Sequence, residues 1–238
     1  MRALVDLLAP VVCLGCGRAD AVVCASCRRP LLDGARLRLP SPCPAGLPNA
    51  YSVAPYTDVV RTLLLAYKER DAVGLRKPLG VALATAVATA ARSDLPWALV
   101  PVPSTRAALR RRGFDPTHRL AQSAARQLRR AGADAVVVPL LTHVRAVADS
   151  AGLTADQRRI NLHGALSATR DRRGARNRFL ILVDDVLTTG ATVAEAARAL
   201  RAVDLAPTAA ATIAATQRHH EVVRPGLHKM RQDDYGAG

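Results

Sequence analysis

Two acidic residues and a threonine-rich segment follow one apolar stretch of this chain. Asp184 and Asp185 come directly after the apolar residues 179–183, and the segment 188–192 follows them. In open α/β sheets, ligands bind at the carboxyl ends of the strands. Threonine hydroxyls and the free N–H groups at the start of a helix suit phosphate, and Gly190 permits its close approach. The segment therefore predicts a phosphate-binding loop beside an acid pair.

The loop is expected to lead into a helix. Thr192 is placed to cap that helix, with Glu195 three residues later as in a capping box. The helix dipole contributes only about 0.3–1 kcal/mol per anion, so most of the phosphate affinity must come from several hydrogen bonds. Two carboxylates would repel a phosphate unless they hold ribose hydroxyls or a hydrated Mg²⁺. Together these features indicate a sugar phosphate as the ligand.

Two other interpretations of the segment stand beside this one. A strand that ends in two aspartates is typical of a Walker B element, but the sequence has no Gly-rich loop ending in Gly-Lys-Ser or Gly-Lys-Thr. A plain strand–turn–helix unit with solvated aspartates is the second alternative. The coincidence of a strand, paired acids, a Thr-Thr-Gly loop and a capped helix favours the sugar phosphate.

Four cysteines near the N-terminus form two C-x₂-C pairs, separated by seven residues: Cys13, Cys16, Cys24 and Cys27. Thiolates at this spacing can occupy the corners of a tetrahedron around Zn²⁺. Such an ion has no open position, so we expect it to be structural. An iron–sulfur cluster, and free or disulfide-bonded cysteines, are the alternatives. Cys43 has no partner pair and is expected to be an ordinary cysteine.

Residues 183–192 resemble the signature by which type I phosphoribosyltransferases bind phosphoribosyl diphosphate (PRPP). The resemblance implies that Asp184 and Asp185 act as the catalytic acid pair that contacts the ribose hydroxyls. It also implies Mg²⁺ as the ion that accompanies PRPP. By the same resemblance, the 5′-phosphate is bound by Thr188, Thr189, Gly190, Ala191 and Thr192.

A narrower resemblance, to the ComF-type competence family, rests on three more features. Residues 100–103 and 110–114 are similar to the family's Pro-Val-Pro strand end and Arg-Gly-Phe stretch, and 152–164 resembles its mobile loop. The N-terminal cysteine pairs also fit. Asp115-Pro116 and Ser150 depart from the family's usual residues, which are Asn-Gln and Gln.

The same resemblance assigns roles to several basic and hydroxyl residues. Pyrophosphate is expected on Ser104, Thr105 and Arg106, and the mobile loop is expected to carry Arg158 and Arg159 over the reaction centre. The Arg110–Arg112 run is expected to face solvent or nucleic acid. Tyr67-Lys68 resembles a family pair, for which we expect a core tyrosine and a surface lysine.

The elements that must position these residues follow from composition and periodicity. Hydrophobic residues make up 50% of the 238 and aromatic residues only 3%, as suits parallel strands covered by Ala-rich helices. We therefore predict an α/β fold, a mostly parallel twisted sheet preceded by a small Cys₄ zinc module. The predicted strands are 98–102, 136–141, 179–183 and 208–215. The predicted helices are 57–67, 75–92, 115–130 and 192–203, with a polar loop at 142–161.

The expected domains are a zinc module at 1–48, a phosphoribosyltransferase-like domain at 49–216 and a polar tail at 217–238 that is expected to be disordered. No secretory signal or apolar span of about 20 residues is found, so we expect a cytoplasmic protein without membrane contact. The net charge is +15, and only three of the 34 basic residues are lysines. A nucleic-acid surface and the arginine bias of a GC-rich coding sequence explain this charge equally well.

Two functions follow from these observations. The first is a PRPP-binding protein that transfers 5-phosphoribosyl with release of pyrophosphate, or that binds PRPP as a regulator. The alternative is a non-catalytic, zinc-containing accessory protein of DNA uptake or processing. Such a protein would bind single-stranded DNA or a DNA-processing protein, and Arg18, Arg28 and Arg29 on the zinc module would contribute.

Overall fold

The computed structural model describes residues 11–19, 21–91, 95–147, 154–171, 173–216 and 219–221. Its strands are β1 (Arg36–Pro40), β2 (Ala50–Pro55), β3 (Trp97–Pro101), β4 (Ala135–Val137), β5 (Leu141–His143), β6 (Leu166–Ala168), β7 (Phe179–Leu187), β8 (Ala209–Ala215) and β9 (His219–Glu221). The α-helices in the described ranges are α1 (Ala25–Arg28), α2 (Asp58–Arg70), α3 (Arg76–Ala90), α4 (Arg106–Arg112), α5 (Pro116–Arg130), α6 (Ala155–Leu162) and α7 (Ala191–Arg201). Short 3₁₀ turns span Arg29–Leu31 and Val73–Leu75.

Seven strands form one sheet in the order β4-β3-β7-β8-β2-β1-β9. The pairs from β4 to β2 are all parallel, and β1 runs antiparallel to both β2 and β9. Strands β5 and β6 form a separate antiparallel pair. The predicted α/β fold with a mostly parallel sheet is confirmed.

Apolar clusters cover both faces of the sheet. One cluster joins α2, α3 and α5 to the sheet, and the other joins α7 and the β5–β6 pair to it. Every residue of β8 is buried, and five of its seven residues are alanine. Such small side chains let helices and strands approach closely, which is how a core with few aromatic residues is packed.

Three predicted elements differ from the structure. The strand predicted at 136–141 is two strands, β4 and β5, with Pro139 in the break between them. Proline cannot donate to a sheet ladder, so it ends the pairing there. The loop predicted at 142–161 contains α6, and the strand predicted at 179–183 continues to Leu187.

Strands β1, β2 and β9 were not predicted, and they extend the sheet beyond β8. The predicted boundary at residue 48 lies between β1 and β2, which pair directly, Arg36 with Ser52 and Leu37 with Tyr51. Within the predicted tail, 219–221 form β9, and the rest of that tail lies outside the described residues. In the part of the chain that the structure describes, no helix has both the length and the apolarity needed to cross a membrane.

Close packing of α3 on α5 depends on Gly80. A Cβ atom at this position would lie 2.2 Å from Ser123 Oγ and 2.5 Å from Ser123 Cβ. The Ser123 hydroxyl donates to the Arg76 carbonyl at 3.0 Å, which holds α5 against the start of α3. A rotation of Ser123 about χ1 would relieve the first contact but not the second.

We therefore expect Gly80→Ala to lower the free energy of unfolding. Alanine gains about 1 kcal/mol of helix propensity over glycine, but overpacking costs roughly 1–3 kcal/mol. The net loss should be about 1 kcal/mol, measured by urea denaturation. In a Ser123→Gly background the same change should be neutral or stabilising, because the clashing atoms are gone. An equal effect in both backgrounds would contradict this account.

Candidate ligand-binding site and metal centre

The parallel pairing of β3 with β7 forms the floor of the site. Pro101 pairs with Val183, and the Val102 N–H donates to the Val183 carbonyl at 2.9 Å. The chain therefore leaves β3 beside the point where β7 presents Asp184 and Asp185. A cavity of about 620 Å³ opens there, and both aspartates line it. Its position at the carboxyl ends of parallel strands is the usual place for a ligand.

Five residues that the sequence predicts for PRPP line this one cavity: Ser104, Thr105, Asp184, Asp185 and Thr192. They come from the segment after β3, from β7 and from the start of α7. Thr189 and Ala191 instead line a second cavity of about 240 Å³, together with Arg159 and residues 42–45. Arg106, Thr188, Gly190 and Arg158 line neither of these two cavities.

Lys68, at the end of α2, forms an ion pair with Asp185. Its Nζ lies against Asp185 Oδ2, and the Lys68 and Asp185 side chains are 27% and 6% exposed. Lys68 also lines the main cavity. The expectation of a plain surface lysine is therefore wrong. Sequence periodicity gives no signal for this contact, because Lys68 and Asp185 are more than a hundred residues apart.

The three charged groups shift one another's proton affinities. Burial, and then the negative charge of Asp185, raises the pKa of Asp184 well above its ordinary value. Burial alone would raise the pKa of Asp185 too, but the positive charge of Lys68 and several hydrogen bonds to the carboxylate together lower that pKa. Burial would lower the pKa of Lys68, but Asp185 and Asp184 raise it instead. Asp185 and Lys68 are thus the charged partners, and Asp184 is the carboxyl that takes up a proton more readily.

Residues on either side of Lys68 hold the end of α2 in place. Tyr67 is buried as predicted, packs edge-on against Phe114 at 6.4 Å between ring centroids, and donates to the Pro116 carbonyl at 3.4 Å. Glu69 accepts from Arg111 at 3.1 Å and from Arg112 at 2.5 Å. These contacts join α2 to α4 and α5.

The segment after β3, predicted for pyrophosphate, is capped by Asp115. One carboxylate oxygen accepts from the Ser104 N–H at 2.9 Å, and the other accepts from the His118 N–H at 3.1 Å as the N-cap of α5. Asp115 is one of the departures from the family pattern. Its carboxylate occupies an N–H group of the segment that the sequence predicts for pyrophosphate. Thr105 caps α4 in a similar way, accepting from the Ala108 N–H at 3.2 Å.

The threonine-rich loop enters α7 through Gly190. This residue has a φ of 74°, and the helix begins at Ala191 without a side-chain cap. The predicted capping box of Thr192 and Glu195 is therefore wrong. Glu195 is buried, where it accepts from the Leu166 N–H at 3.1 Å and pairs with Arg198 at 2.7 Å. Packing against β6 outweighs the local capping pattern.

The N-terminal segment covers this loop. A Cβ atom on Gly190 would lie 3.1 Å from both Pro40 and Leu47 and 3.2 Å from Pro44. Arg201 of α7 donates to the Gly46 carbonyl at 2.9 Å. Glycine at 190 is thus required twice, for its left-handed backbone and for this close approach.

The predicted mobile loop is partly helical. Thr154 and Gln157 form a capping box that opens α6, a Thr-x-x-Gln signal that sequence reasoning could have used. Arg158 and Arg159 lie on this helix, and the Arg158 Nε is buried without a hydrogen-bond partner. Gly152 and Leu153, which carried part of the resemblance, lie outside the described residues, as does Ser150, which departs from it.

His143 is a cavity residue that sequence reasoning missed. It lines the main cavity, is 8% exposed, and its Nε2 lies 3.2 Å from the Pro103 carbonyl. Burial lowers its pKa. A neutral ring therefore donates from Nε2 to the Pro103 carbonyl and helps to hold the segment after β3.

The four predicted metal ligands meet at the N-terminal module. The Sγ atoms of Cys13, Cys16, Cys24 and Cys27 all lie within 4.8 Å of one another. Cys16 Sγ and Cys24 Sγ are 3.7 Å apart, close to the edge of about 3.8 Å that a tetrahedron with Zn–S bonds of about 2.3 Å requires. The quartet therefore fits a single zinc ion.

Contacts around the quartet support metal binding. The Cys24 N–H donates to Cys13 Sγ at 3.3 Å. Burial would raise the pKa of Cys13, but such backbone donors lower it to about 6, which favours the thiolate that zinc binds. Gly15 lets the first pair turn tightly, since a Cβ there would lie 2.9 Å from Cys27 Sγ. Cys43 lies outside the quartet and lines the smaller cavity.

Comparison with known proteins identifies the family to which this chain belongs. A phosphoribosyl transferase domain family matches residues 111–232, about half of the chain. Competence protein F of Haemophilus influenzae is 31% identical over 149 residues, which cover 61% of this chain and 63% of that protein. The chain thus spans slightly less than two thirds of that relative.

The chain is also similar to DNA utilization protein YhgH of Escherichia coli. The protein of strain CFT073 is 31% identical over 195 residues, covering 79% of this chain and 82% of the relative, and the K12 protein is 30% identical over 194 residues. The family match includes the loop at 183–192. The chain belongs to the ComF-type competence family within the type I phosphoribosyltransferase superfamily.

Proposed function

We propose that this protein binds PRPP in the main cavity and acts in DNA uptake or utilisation. The observation that carries the ligand assignment is the convergence of Asp184, Asp185, Thr192, Ser104 and Thr105 on one cavity at the carboxyl ends of β3 and β7. The acid pair offers acceptors to ribose hydroxyls. The hydroxyls and backbone N–H groups at the start of α7 offer donors to the 5′-phosphate. The Mg²⁺ expected with PRPP arrives bound to the ligand.

Binding of PRPP as a regulator is favoured over transfer of its phosphoribosyl group. Transfer requires the departing pyrophosphate to be held as the bond at C1 breaks and positive charge develops there. In this chain the Asp115 carboxylate already occupies the Ser104 N–H. A pyrophosphate would have to displace a negatively charged group to use that donor.

The DNA role is supported by the relatives, whose names are Competence protein F and DNA utilization protein YhgH. Exposed arginines on the zinc module provide a surface for it. Arg18, Arg28 and Arg29 are all exposed, beside the cysteine quartet. Single-stranded DNA is the partner that we propose for this surface, because phosphate contacts through arginine require no base sequence.

Replacing both acids should abolish PRPP binding. Asp184→Asn/Asp185→Asn removes the negative acceptors for the ribose hydroxyls, so isothermal titration with PRPP and Mg²⁺ should detect heat of binding only for the native protein. The change also leaves Lys68 without its partner, so urea denaturation must show that the variant is folded.

Asp33→Asn is the matched control for this experiment, because Asp33 is exposed and lies outside the cavity. It should bind PRPP like the native protein. Absence of binding by the folded native protein would remove the ligand assignment and leave the DNA role alone.

The cysteine quartet is proposed to hold one structural zinc ion. Cys24→Ser should lower the zinc content, measured by plasma mass spectrometry, from about one ion per chain to almost none, because tetrahedral zinc needs all four thiolates. Thermal unfolding should shift to a lower temperature, since metal binding is coupled to folding. Cys43→Ser is the matched control and should keep both the zinc and the melting temperature. Zinc loss in the control, or retention in Cys24→Ser, would contradict the assignment.

Binding of single-stranded DNA should weaken when the module loses its arginines. For single strands, the logarithm of the affinity falls with the logarithm of salt by about 0.7 per phosphate contact. Arg28→Ala/Arg29→Ala should therefore reduce that slope by about 1.4, measured by fluorescence anisotropy with an oligonucleotide at several salt concentrations.

Two further variants test whether DNA binding depends on this surface, on the cavity or only on the overall positive charge. Arg170→Ala/Arg173→Ala removes two exposed arginines away from the module and should leave the slope nearly unchanged. Asp184→Asn/Asp185→Asn should bind DNA as well as the native protein does. If both arginine pairs reduced the slope equally, DNA binding would depend on diffuse positive charge and not on a defined surface.

A further inference from the structure

We propose that Lys68 is the resident cation of the acid pair and keeps a divalent metal ion from binding to Asp184 and Asp185. The identity of the sugar ligand rests on the proposed function. The exclusion of the metal ion does not rest on the proposed function, because it can be tested without any ligand.

The first support is the ion pair itself. The Lys68 ammonium lies directly against Asp185 Oδ2, and the Asp185 side chain is 6% exposed. Lys68 and both aspartates line the same cavity. The cation is therefore at the place that a hydrated metal ion would take if it neutralised the pair.

The second support is that the ammonium is held in position by its neighbours. Tyr67 is buried against Phe114 and Pro116, and Glu69 pairs with Arg111 and Arg112. Just after α2, Asp71 pairs with Arg119 at 3.2 Å. Anchors on both sides hold the backbone of Lys68 in place, so its side chain extends toward Asp185 from a fixed position.

The third support is the composition of the site. Mg²⁺ requires near-octahedral oxygen ligands at about 2.0–2.1 Å. Bound to Asp185, it would lie beside an ammonium that shares the same carboxylate, and like charges repel. With Lys68 in place, the acid pair does not fit a resident divalent metal.

A consequence for recognition follows. With Asp185 already neutralised, the remaining acceptor oxygens of the pair can take hydrogen bonds from two hydroxyls. The polyanionic ligand then meets a site that carries less negative charge than two free carboxylates. Any Mg²⁺ that enters with PRPP is held by the ligand's own pyrophosphate.

The test is a titration of zinc-loaded protein with Mn²⁺ in the absence of PRPP, with free Mn²⁺ measured by electron paramagnetic resonance. The native protein should show no Mn²⁺ site that depends on the acid pair. Lys68→Met keeps most of the length of the side chain and removes the charge, so it should gain a site for a single Mn²⁺. That site should disappear in Lys68→Met/Asp184→Asn/Asp185→Asn. Lys77→Met makes the same change at an exposed position of α3 and should gain nothing.

Two results would overturn the proposal: a native Mn²⁺ site that Asp184→Asn/Asp185→Asn removes, or a folded Lys68→Met that gains no site. If Lys68→Met does not fold, the proposal is tested by Mn²⁺ binding to the native protein and to Asp184→Asn/Asp185→Asn, which should not differ. Lys68→Arg, which keeps the charge, should behave as the native protein. A PRPP titration of the native protein reports separately on the proposed function, so the failure of one does not imply the failure of the other.

Discussion

The parallel register of β3 against β7 is the constraint on which the site depends. Pairing of Pro101 with Val183 ends β3 level with the acid pair, and the cavity opens at that level. A shift of one residue would turn the side chains of β7 to the opposite faces of the sheet. The buried faces on both sides prevent such a shift, because residues 180–183 and 185 would have to exchange their packing partners. The apolar core therefore fixes the position of the polar site.

The end of α2 is the second structural support of the site, and it works through charge. Four of five consecutive positions contact other elements. Tyr67 contacts Phe114 and Pro116, Lys68 contacts Asp185 on β7, Glu69 contacts the end of α4, and Asp71 contacts α5. The exposed pairs contribute little stability individually, about 0–1 kcal/mol. Their value is geometric, because they aim one half-buried ammonium at one buried carboxylate.

Much of the fold and of the site could be predicted from the sequence. Strand β7, its acid pair and the cysteine quartet have local patterns, since a continuous apolar run and C-x₂-C spacing are set by neighbours in the chain. Lys68, Asp115 and His143 act across long sequence distances, and no periodicity signals such contacts. Glu195 shows the opposite failure, because its local capping pattern was real but tertiary packing against β6 took the carboxylate. Helix α6 was missed although Thr154 and Gln157 carry its capping signal.

The N-terminal segment connects the metal centre to the ligand site in two ways. The cysteine quartet packs on Val59, near the start of the helix whose other end carries Lys68. Farther along, residues 40–47 lie on Gly190 and over the start of α7. A zinc ion with four thiolates has no position for a substrate, so its contribution must be structural. The module therefore packs on α2 near its start and continues into the segment that packs on Gly190, so a structural ion in the quartet would stabilise both contacts.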